Sequence, residues 1–284
     1  MTVDIGRVGL WTFAGKWNPE DPEHREALGE VEELGYGALW LGAAAGDLQL
    51  ASGLLDATER LVVATGIINI WDQDAAELAA TYRRLATAHL ERLLIGLGAS
   101  HAPAVGERYR KPYSKVVSYL DELDGATAPL PESSRVLAAL GPRMVALAGE
   151  RSRGAHPYLT TPEHTARARE ILGAGPVLAP EQKVVLETDP ERARSIARDG
   201  AQMYLGLPNY LNNLRRLGFA EADFADGGSD RLIDALVAWG DADAVLRRVQ
   251  QHQEAGADHV AIQVLTDSPG LPRQQWRLLA EGLE

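Results

Sequence analysis

Amphipathic segments that end at a glycine alternate with short apolar runs along this chain. The clearest copies are residues 26–42, EALGEVEELGYGALWLG, and residues 245–265, VLRRVQQHQEAGADHVAIQVL. In each copy, apolar residues recur at helical spacing up to a glycine, Gly35 or Gly256, which suits the position just after a helix. The run after each glycine is almost wholly apolar, which is typical of a strand covered on both faces.

Repetition of this unit predicts the fold. Strand candidates alternate with helices, and such alternation indicates a parallel sheet. Eight units in roughly 250 residues predict a closed (β/α)8 TIM barrel with insertions, in one domain that spans residues 1–284. A doubly wound open sheet is the alternative, although no G-x-G-x-x-G sequence follows the first strand. The strand candidates are residues 7–13, 38–41, 61–67, 92–98, 135–141, 154–159, 182–187 and 259–265.

Two stretches, residues 99–134 and 206–242, depart from the repeat and are interpreted as insertions. The first carries proline, glycine and polar residues around one helix near 114–124, and the second reads as two or three short helices. Because the first insertion follows a strand end, it is expected on the face where barrels of this type carry their active sites.

Composition narrows the class of protein. The 284 residues carry a net charge of −12, which argues against a nucleic-acid surface. The absence of cysteine excludes disulfides, thiolate nucleophiles and cysteine–metal sites. No signal peptide is readable, and no apolar run approaches the roughly 20 residues that span a bilayer. We therefore expect a cytoplasmic protein with no nucleic-acid and no membrane partner.

The residues at the predicted strand ends are aromatic, small or neutral. They include no cluster of carboxylates, and the chain has no H-x-H sequence and no P-loop, its seven histidines being scattered; paired-acid, metal and P-loop chemistry are therefore disfavoured. An apolar cleft with few polar groups suits a planar ring ligand. The residues concerned are Trp11, Phe13, Gly42, Asn69, Trp71, Gly98, Ser100, His101, His156, Tyr158 and Thr160.

Five segments resemble the luciferase-like flavin and deazaflavin oxidoreductases, in particular the branch that uses coenzyme F420. The resemblance implies an eight-stranded barrel with insertions and a cofactor at the carboxyl ends of the strands. That cofactor is F420, with FMN as the alternative. A small-molecule substrate and a homodimer are also implied. The segments are GRVGLWTF (6–13), YGALWLG (36–42), LVVATGIINIW (61–71), ERLLIGLGASH (91–101) and GPRMVALAGERSRGAHPYLTTPEH (141–164).

A bulge in the third strand is the most specific feature that the resemblance implies. It places a non-prolyl cis peptide bond at Gly66–Ile67, against which the tricyclic ring packs. Asn69 then points its amide at the ring edge, and Trp71 covers the cleft. The residues taken alone also fit a simple strand bulge at Gly66 and a core position for Trp71.

The resemblance and the residue chemistry together assign the remaining candidates. His101 and Asn69 are the expected catalytic residues, with His101 as a proton donor because its pKa lies near neutrality. Trp11 and Trp71 are expected to bound the substrate pocket. The alternatives are a loop histidine bonded to backbone and core packing of Trp11. Expected cofactor-binding residues are Gly66, Ile67, Asn69, Gly98, Ser100, His101, His156 and Thr160, with no metal ligand.

Two further groups of residues have two interpretations each, and a third group receives no role in the site. The basic run Arg108, Arg110 and Lys111 is either a contact for the anionic cofactor tail or a solvated loop. Thr161 is either a phosphate contact or a helix N-cap. Glu181 and Gln182 lie at a predicted strand start, hence on the barrel face opposite the chemistry, and receive no role.

The chain departs from the family pattern at three places, and these departures argue against one of the family's mechanisms. Gly42 to Ala45 stand where many relatives carry an acidic residue and a histidine, His101 stands at a carboxylate position, and His156-Pro157 replaces a common Asp-Gly. The expected function is an F420-dependent oxidoreductase that transfers a hydride to or from a small organic substrate. It is not expected to follow the mechanism of the family's sugar-phosphate dehydrogenases. The alternatives are an FMN-dependent monooxygenase and a cofactor-binding paralogue without turnover.

Overall fold

The computed structural model describes residues 3–89 and 92–283, so residues 1, 2, 90, 91 and 284 of the predicted domain lie outside the described residues. All strand pairs among the described residues are parallel. The strands are β1 (Val8–Phe13), β2 (Ala38–Gly42), β3 (Val62–Thr65), β4 (Ile68–Asn69), β5 (Leu93–Gly98), β6 (Arg135–Leu137), β7 (Gly154–Ala155), β8 (Val177–Leu178), β9 (Glu181–Val185), β10 (Val237–Trp239) and β11 (Val260–Val264).

Helices alternate with these strands, and several begin at the caps that the sequence contains. Asp189 and Thr161 accept hydrogen bonds from the backbone three residues on, and a proline follows each of them at the first helical position. Thr161 is thus an N-cap. The helices are α1 (Pro22–Glu33), α2 (Gln49–Asp56), α3 (Ala75–Ala88), α4 (Ala102–Val105), α5 (Pro112–Asp124), α6 (Pro142–Arg151), α7 (Pro162–Leu172), α8 (Pro190–Leu205), α9 (Pro208–Arg216), α10 (Asp230–Leu236), α11 (Ala242–Glu254) and α12 (Arg273–Ala280).

The sheet returns on itself, as a barrel requires. Strand β1 pairs with β2 on one side and with β11 on the other, so the first and last strands are neighbours. Strand β8 pairs with β7, and β9 pairs with β11. Only Ala179 and Pro180 separate β8 from β9, so this segment closes the ring. The predicted (β/α)8 TIM barrel with insertions is confirmed.

Three strands fall outside the predicted set or divide it. Residues 237–239, which lie within the predicted helical insertion 206–242, form β10 and pair with β9. They follow α10 with no turn residue between, so no sequence signal marks the boundary. Strand β8 precedes the predicted strand 182–187. The predicted third strand, 61–67, is a strand only as far as Thr65, and a separate strand, β4, begins at Ile68; β3 and β4 both pair with β5.

Strand β2 buries both faces. In β2, Leu39 and Leu41 join the apolar layer between strands and helices, whereas Ala38 and Trp40 point into the barrel. The period of two along a strand explains this division, and the burial of both sets explains why β2 is uninterrupted apolar sequence. Inside the barrel, the Trp40 indole stacks on the ring of His156 at a centroid distance of 4.1 Å. No described helix is long and apolar enough to span a bilayer.

Candidate active site

A cleft of about 980 Å³ opens where the barrel strands end. The segments that follow β1, β2, β3, β5, β6 and β7 all contribute to its lining, and α8 and α9 close one side. This is the end of the barrel at which enzymes of this architecture carry their active sites. Of the predicted site residues, those that line the cleft are Trp11, Gly66, Ile67, Asn69, Ser100, His101 and His156.

The segment between β3 and β4 lines the cleft. The peptide bond Gly66–Ile67 is cis, at the position that the family resemblance implies. A β-carbon at residue 66 would lie 2.8 Å from Trp11 Nε1 and 3.1 Å from His156 Nε2. Both distances are tighter than ordinary contact, so glycine is the residue that keeps this part of the cleft open.

A hydrogen-bond donor and an acceptor without partners face Gly66. His156 Nδ1 lies 2.6 Å from the Ala179 carbonyl oxygen, which can only accept, so Nδ1 carries the proton and Nε2 carries a lone pair. Trp11 Nε1–H and His156 Nε2 are buried and have no hydrogen-bond partner among the described residues. Buried polar atoms are normally paired, so this pair indicates a ligand edge that offers one acceptor and one donor.

Burial keeps His156 and two other histidines neutral, and this predicts acid sensitivity. Desolvation lowers the pKa of His156 and His259 to about 4 and that of His252 to about 3. An unfolded histidine has a pKa of about 6.5, so below that pH the unfolded chain binds protons that the folded chain does not. The three neutral histidines make their full contribution to the free energy of unfolding above pH ~6.5. This contribution falls as the pH drops towards about 4, by about 1.4 kcal/mol per histidine for each unit by which its pKa is lowered.

Urea unfolding at pH 7 and pH 5 measures this effect. We expect a lower free energy of unfolding at pH 5. A variant with His252→Gln should show a smaller difference between the two pH values, because one of the three groups no longer titrates. Equal stability of the wild-type protein at the two pH values would contradict the prediction.

His101 lies in the cleft as an uncharged group. Its ring centroid is 5.5 Å from that of Tyr210, and its Nδ1 has no partner among the described residues. Burial lowers the pKa of His101, and a hydrogen bond with Asn209 opposes this only in part. At neutral pH the imidazole is therefore neutral, which suits a hydrogen-bonding role better than the donation of a proton.

Asn69 and Trp71 form a turn beside the cleft. The Asn69 amide bonds to the Asp72 carboxylate, and its oxygen accepts from the Trp71 backbone N–H at 3.3 Å. The Trp71 indole N–H donates to the Ala99 carbonyl at 2.8 Å and its ring packs near Tyr109. Trp71 is not among the residues that line the cleft. The prediction that Trp71 covers the cleft is replaced by a packing role, because this hydrogen bond holds the indole against the loop after β5.

Gly98 and Thr160 also lie outside the cleft lining. A β-carbon at residue 98 would lie 2.7 Å from Ile67 Cδ1 and 3.0 Å from the Ala138 β-carbon. Gly98 therefore makes room for the Ile67 side chain rather than for a ligand. Thr160 is 1% exposed, and its hydroxyl finds no partner within the described ranges.

The strand that begins at Glu181 carries a buried ion pair, contrary to the interpretation that this segment has no place near the site. Lys183 Nζ donates to Glu181 Oε1 at 3.2 Å, to Gln263 Oε1 at 2.7 Å and to the Tyr158 hydroxyl at 2.6 Å. Tyr158 lines the cleft. Two charged residues two positions apart share one strand face. That spacing, in a strand that is buried at every position, is the signal that could have identified them.

Two arginines stand at the rim of the cleft, in place of the basic run 108–111. Arg143 is in the first turn of α6, and its guanidinium carbon lies 4.2 Å from the centroid of the Tyr113 ring. Arg216 Nη1 lies close to Gly141. No side chain caps the α6 N-terminus, so its N–H groups and the arginines together favour an anion. Arg108 is instead engaged by Asp72 and by the Trp71 carbonyl.

The sequence matches the family model described as luciferase-like monooxygenase over residues 9–259. The chain belongs to the luciferase-like family. Members of this family are oxidoreductases, monooxygenases among them. Comparison with curated proteins gives no match.

Solved structures share the luciferase-like fold over nearly the whole chain. An F420-dependent secondary alcohol dehydrogenase in complex with an F420-acetone adduct has 15% identity and a TM-score of 0.74, over 97% of both chains. The coenzyme F420-dependent tetrahydromethanopterin reductase from Methanopyrus kandleri has 15% identity and a TM-score of 0.69, over 98% of both chains. The oxygenating constituent of 3,6-diketocamphane monooxygenase from Pseudomonas putida, in complex with FMN, has 17% identity and a TM-score of 0.65, over 97% of both chains.

This luciferase-like cleft includes residues that the sequence interpretation did not nominate. Tyr204 in α8 and Tyr210 in α9 line it; only Tyr210 belongs to the predicted helical insertion 206–242, and neither tyrosine was given a site role. Their periodicity indicates only helices, and nothing in the sequence shows that these helices turn towards the barrel mouth. Within the described residues, no group of three or more histidine, aspartate or glutamate side chains could hold a metal ion.

Proposed function

We propose that this protein is an F420-dependent oxidoreductase that transfers a hydride between the cofactor and a small organic substrate. The observation that carries the proposal is the unpaired donor–acceptor pair, Trp11 Nε1–H and His156 Nε2, beside Gly66 in the cleft. The pyrimidine edge of a flavin or deazaflavin ring offers carbonyl acceptors and an imide N–H donor, which match that pair. The names of two structural neighbours support F420 as the cofactor.

The residues present fit such a ring. Gly66 and Ile67 leave space at the bend between β3 and β4, and Ser100 and His101 line the same cleft. The bound deazaflavin would supply the hydride chemistry, while the chain binds the ring, orients it and excludes water. Arg143, Arg216 and the α6 N-terminus would hold the anionic tail.

Arg143→Ala is expected to weaken binding of F420 and FMN by about 10-fold to 100-fold, because a charge-assisted contact to phosphate is lost. Binding of riboflavin, which lacks the phosphate, should change little. Arg110→Ala is the matched control, since Arg110 bonds to the Glu107 carbonyl and does not line the cleft. Titrations followed by tryptophan fluorescence measure all these affinities. An equal loss for FMN and riboflavin would contradict the phosphate role.

His101→Ala is expected to lower turnover by about 10-fold or more while cofactor affinity stays within a few fold. The reason is that a neutral imidazole in the cleft can orient a substrate oxygen by a hydrogen bond. The measurement is steady-state reduction of a panel of aldehydes, ketones and enones by reduced F420. If turnover is unchanged, His101 is a loop residue with no catalytic part.

The experiment that tests the proposal compares F420 and FMN directly. Purified protein is titrated with each cofactor, and Trp11 fluorescence should be quenched by F420. Loss of F420 absorbance in the presence of an alcohol, without oxygen uptake, would support the hydride-transfer activity. FMN binding, with oxygen consumption when a flavin reductase is added, would favour the second candidate, a monooxygenase. The description of the matching family, luciferase-like monooxygenase, supports this candidate. Absence of binding by both cofactors would end both proposals.

A further inference from the structure

We propose that Tyr204 is the residue that exchanges a proton with the substrate, and that Lys183 supplies this proton through the hydroxyl of Tyr158. The inference rests on the proposed function, because it names the proton partner of the hydride transfer. It is needed because His101 and His156, which both line the cleft, are kept uncharged by burial.

Three side chains form a continuous hydrogen-bonded path from the barrel interior to the cleft. Lys183 Nζ donates to the Tyr158 hydroxyl at 2.6 Å. The Tyr158 hydroxyl donates to the Tyr204 hydroxyl at 3.1 Å. Tyr204 lines the cleft and keeps 7% of its surface exposed. Because Tyr204 only accepts within this path, its own proton is free to point into the cleft.

The rest of the cluster holds Lys183 in this position. Glu181 on the same strand is its counter-charge, and the Gln263 oxygen from β11 accepts from Lys183. The same oxygen lies 2.9 Å from the Tyr158 hydroxyl and is the alternative acceptor for the single Tyr158 proton, which serves the path when it points to Tyr204. The ammonium lies 3.8 Å from the Tyr158 ring centroid and 5.3 Å from that of Tyr204. The ionisable groups that face Lys183 are therefore Glu181, Tyr158 and Tyr204.

Burial makes Lys183 a usable proton source near neutral pH. Desolvation lowers its pKa to about 8, against the opposing effect of Glu181. Burial also raises the pKa of Tyr158 well above its ordinary value and raises that of Tyr204. Both phenols therefore stay protonated, so that a proton arriving from Lys183 displaces one towards the cleft rather than filling a phenolate.

The proton balance of the step is simple. Conversion of a carbonyl to an alcohol needs a hydride, from the reduced deazaflavin, and a proton. The oxyanion that remains after hydride addition takes the phenolic proton of Tyr204. Tyr204 is refilled from Tyr158, and Tyr158 from Lys183, which becomes a neutral amine. In alcohol oxidation the protons move in the opposite direction, and Lys183 exchanges its proton with water along the same path when the cleft is open.

The test uses the protein without cofactor and measures how fast the Lys183 ammonium protons exchange with water, by nitrogen-15 NMR. The chain has only the lysines Lys16, Lys111, Lys115 and Lys183, so Lys183 is assigned by Arg substitutions of the other three. A relay predicts that Tyr204→Phe and Tyr158→Phe each slow this exchange by about 10-fold or more, because the path to the cleft is cut. A merely structural tyrosine would not alter the exchange rate.

Tyr210→Phe is the matched control. Its ring lies on the same side of the cleft, 5.2 Å from the Tyr204 ring, but its hydroxyl is not part of the path. The Lys183 exchange rate should match that of the wild-type protein. Equal exchange rates in all four proteins would overturn the relay.

Cofactor titration separates the relay from the proposed function. If F420 and FMN both fail to bind, the proposed function falls, whatever the exchange rates show. If F420 binds to Tyr204→Phe as it does to the wild-type protein but turnover is not lowered at least 10-fold, the assignment of Tyr204 falls alone. The expected result is unchanged F420 affinity, slowed Lys183 exchange and a 100-fold lower turnover in Tyr204→Phe.

Discussion

Gly66→Val is expected to weaken cofactor binding by a factor on the order of 100 while the chain stays folded. The added β-carbon would lie 2.8 Å from Trp11 Nε1 and 3.1 Å from His156 Nε2, and the two methyl groups extend further. Trp11 and His156 both line the cleft but are themselves 3% and 1% exposed, so the valine methyl groups are accommodated mainly by filling the cleft beside them. The substitution therefore occupies the ligand position more than it disturbs the core.

The measurement is a fluorescence titration with F420 and FMN, together with thermal unfolding of the same samples. Gly15→Val is the matched control, because a β-carbon at Gly15 meets no atom within 4 Å. It should bind both cofactors as the wild-type protein does. If the Gly66→Val protein is folded and binds within twofold of wild type, the ring does not occupy the space beside Gly66.

Lys183→Met is expected to lower the free energy of unfolding by about 3–5 kcal/mol, because it leaves Glu181 as an unpaired charge inside the barrel. Both side chains are fully buried and lie 3.2 Å apart. The double variant Glu181→Gln with Lys183→Met removes both charges and should recover part of the loss. The loss should also be smaller at pH 5 than at pH 8, because burial raises the pKa of Glu181 and protonation removes its charge.

Urea unfolding of the single and double variants provides the comparison. The exposed pair Arg25–Glu20, whose side chains are 54% and 85% exposed, supplies the control. Arg25→Met should cost less than about 1 kcal/mol, since water screens that pair. If Lys183→Met lowers the free energy of unfolding by less than about 1 kcal/mol, Glu181 is reached by water or carries no charge in the variant. That result would contradict a charged Lys183–Glu181 pair inside the barrel.

Local patterns were sufficient for the barrel and for part of the site. Helical spacing up to Gly35 and Gly256 identified the repeating unit, and both glycines have the positive φ that ends a helix. Family resemblance located the bend at Gly66. The resemblance also assigned Trp71 to cover the cleft, whereas its indole N–H bonds to the Ala99 carbonyl and its ring packs beside the loop. Local patterns missed β10, which follows α10 directly.

The sequence by itself determined the alternation of helices and strands, the helix caps and the residues that stand at strand ends, because those depend on neighbours within a few positions. Only the tertiary structure decided which side chains meet. Lys183 bonds to Tyr158, 25 positions away, and to Gln263, 80 positions away. Burial of such groups, and hence their charge state, depends on what the other strands bring around them, which no local pattern along the chain encodes.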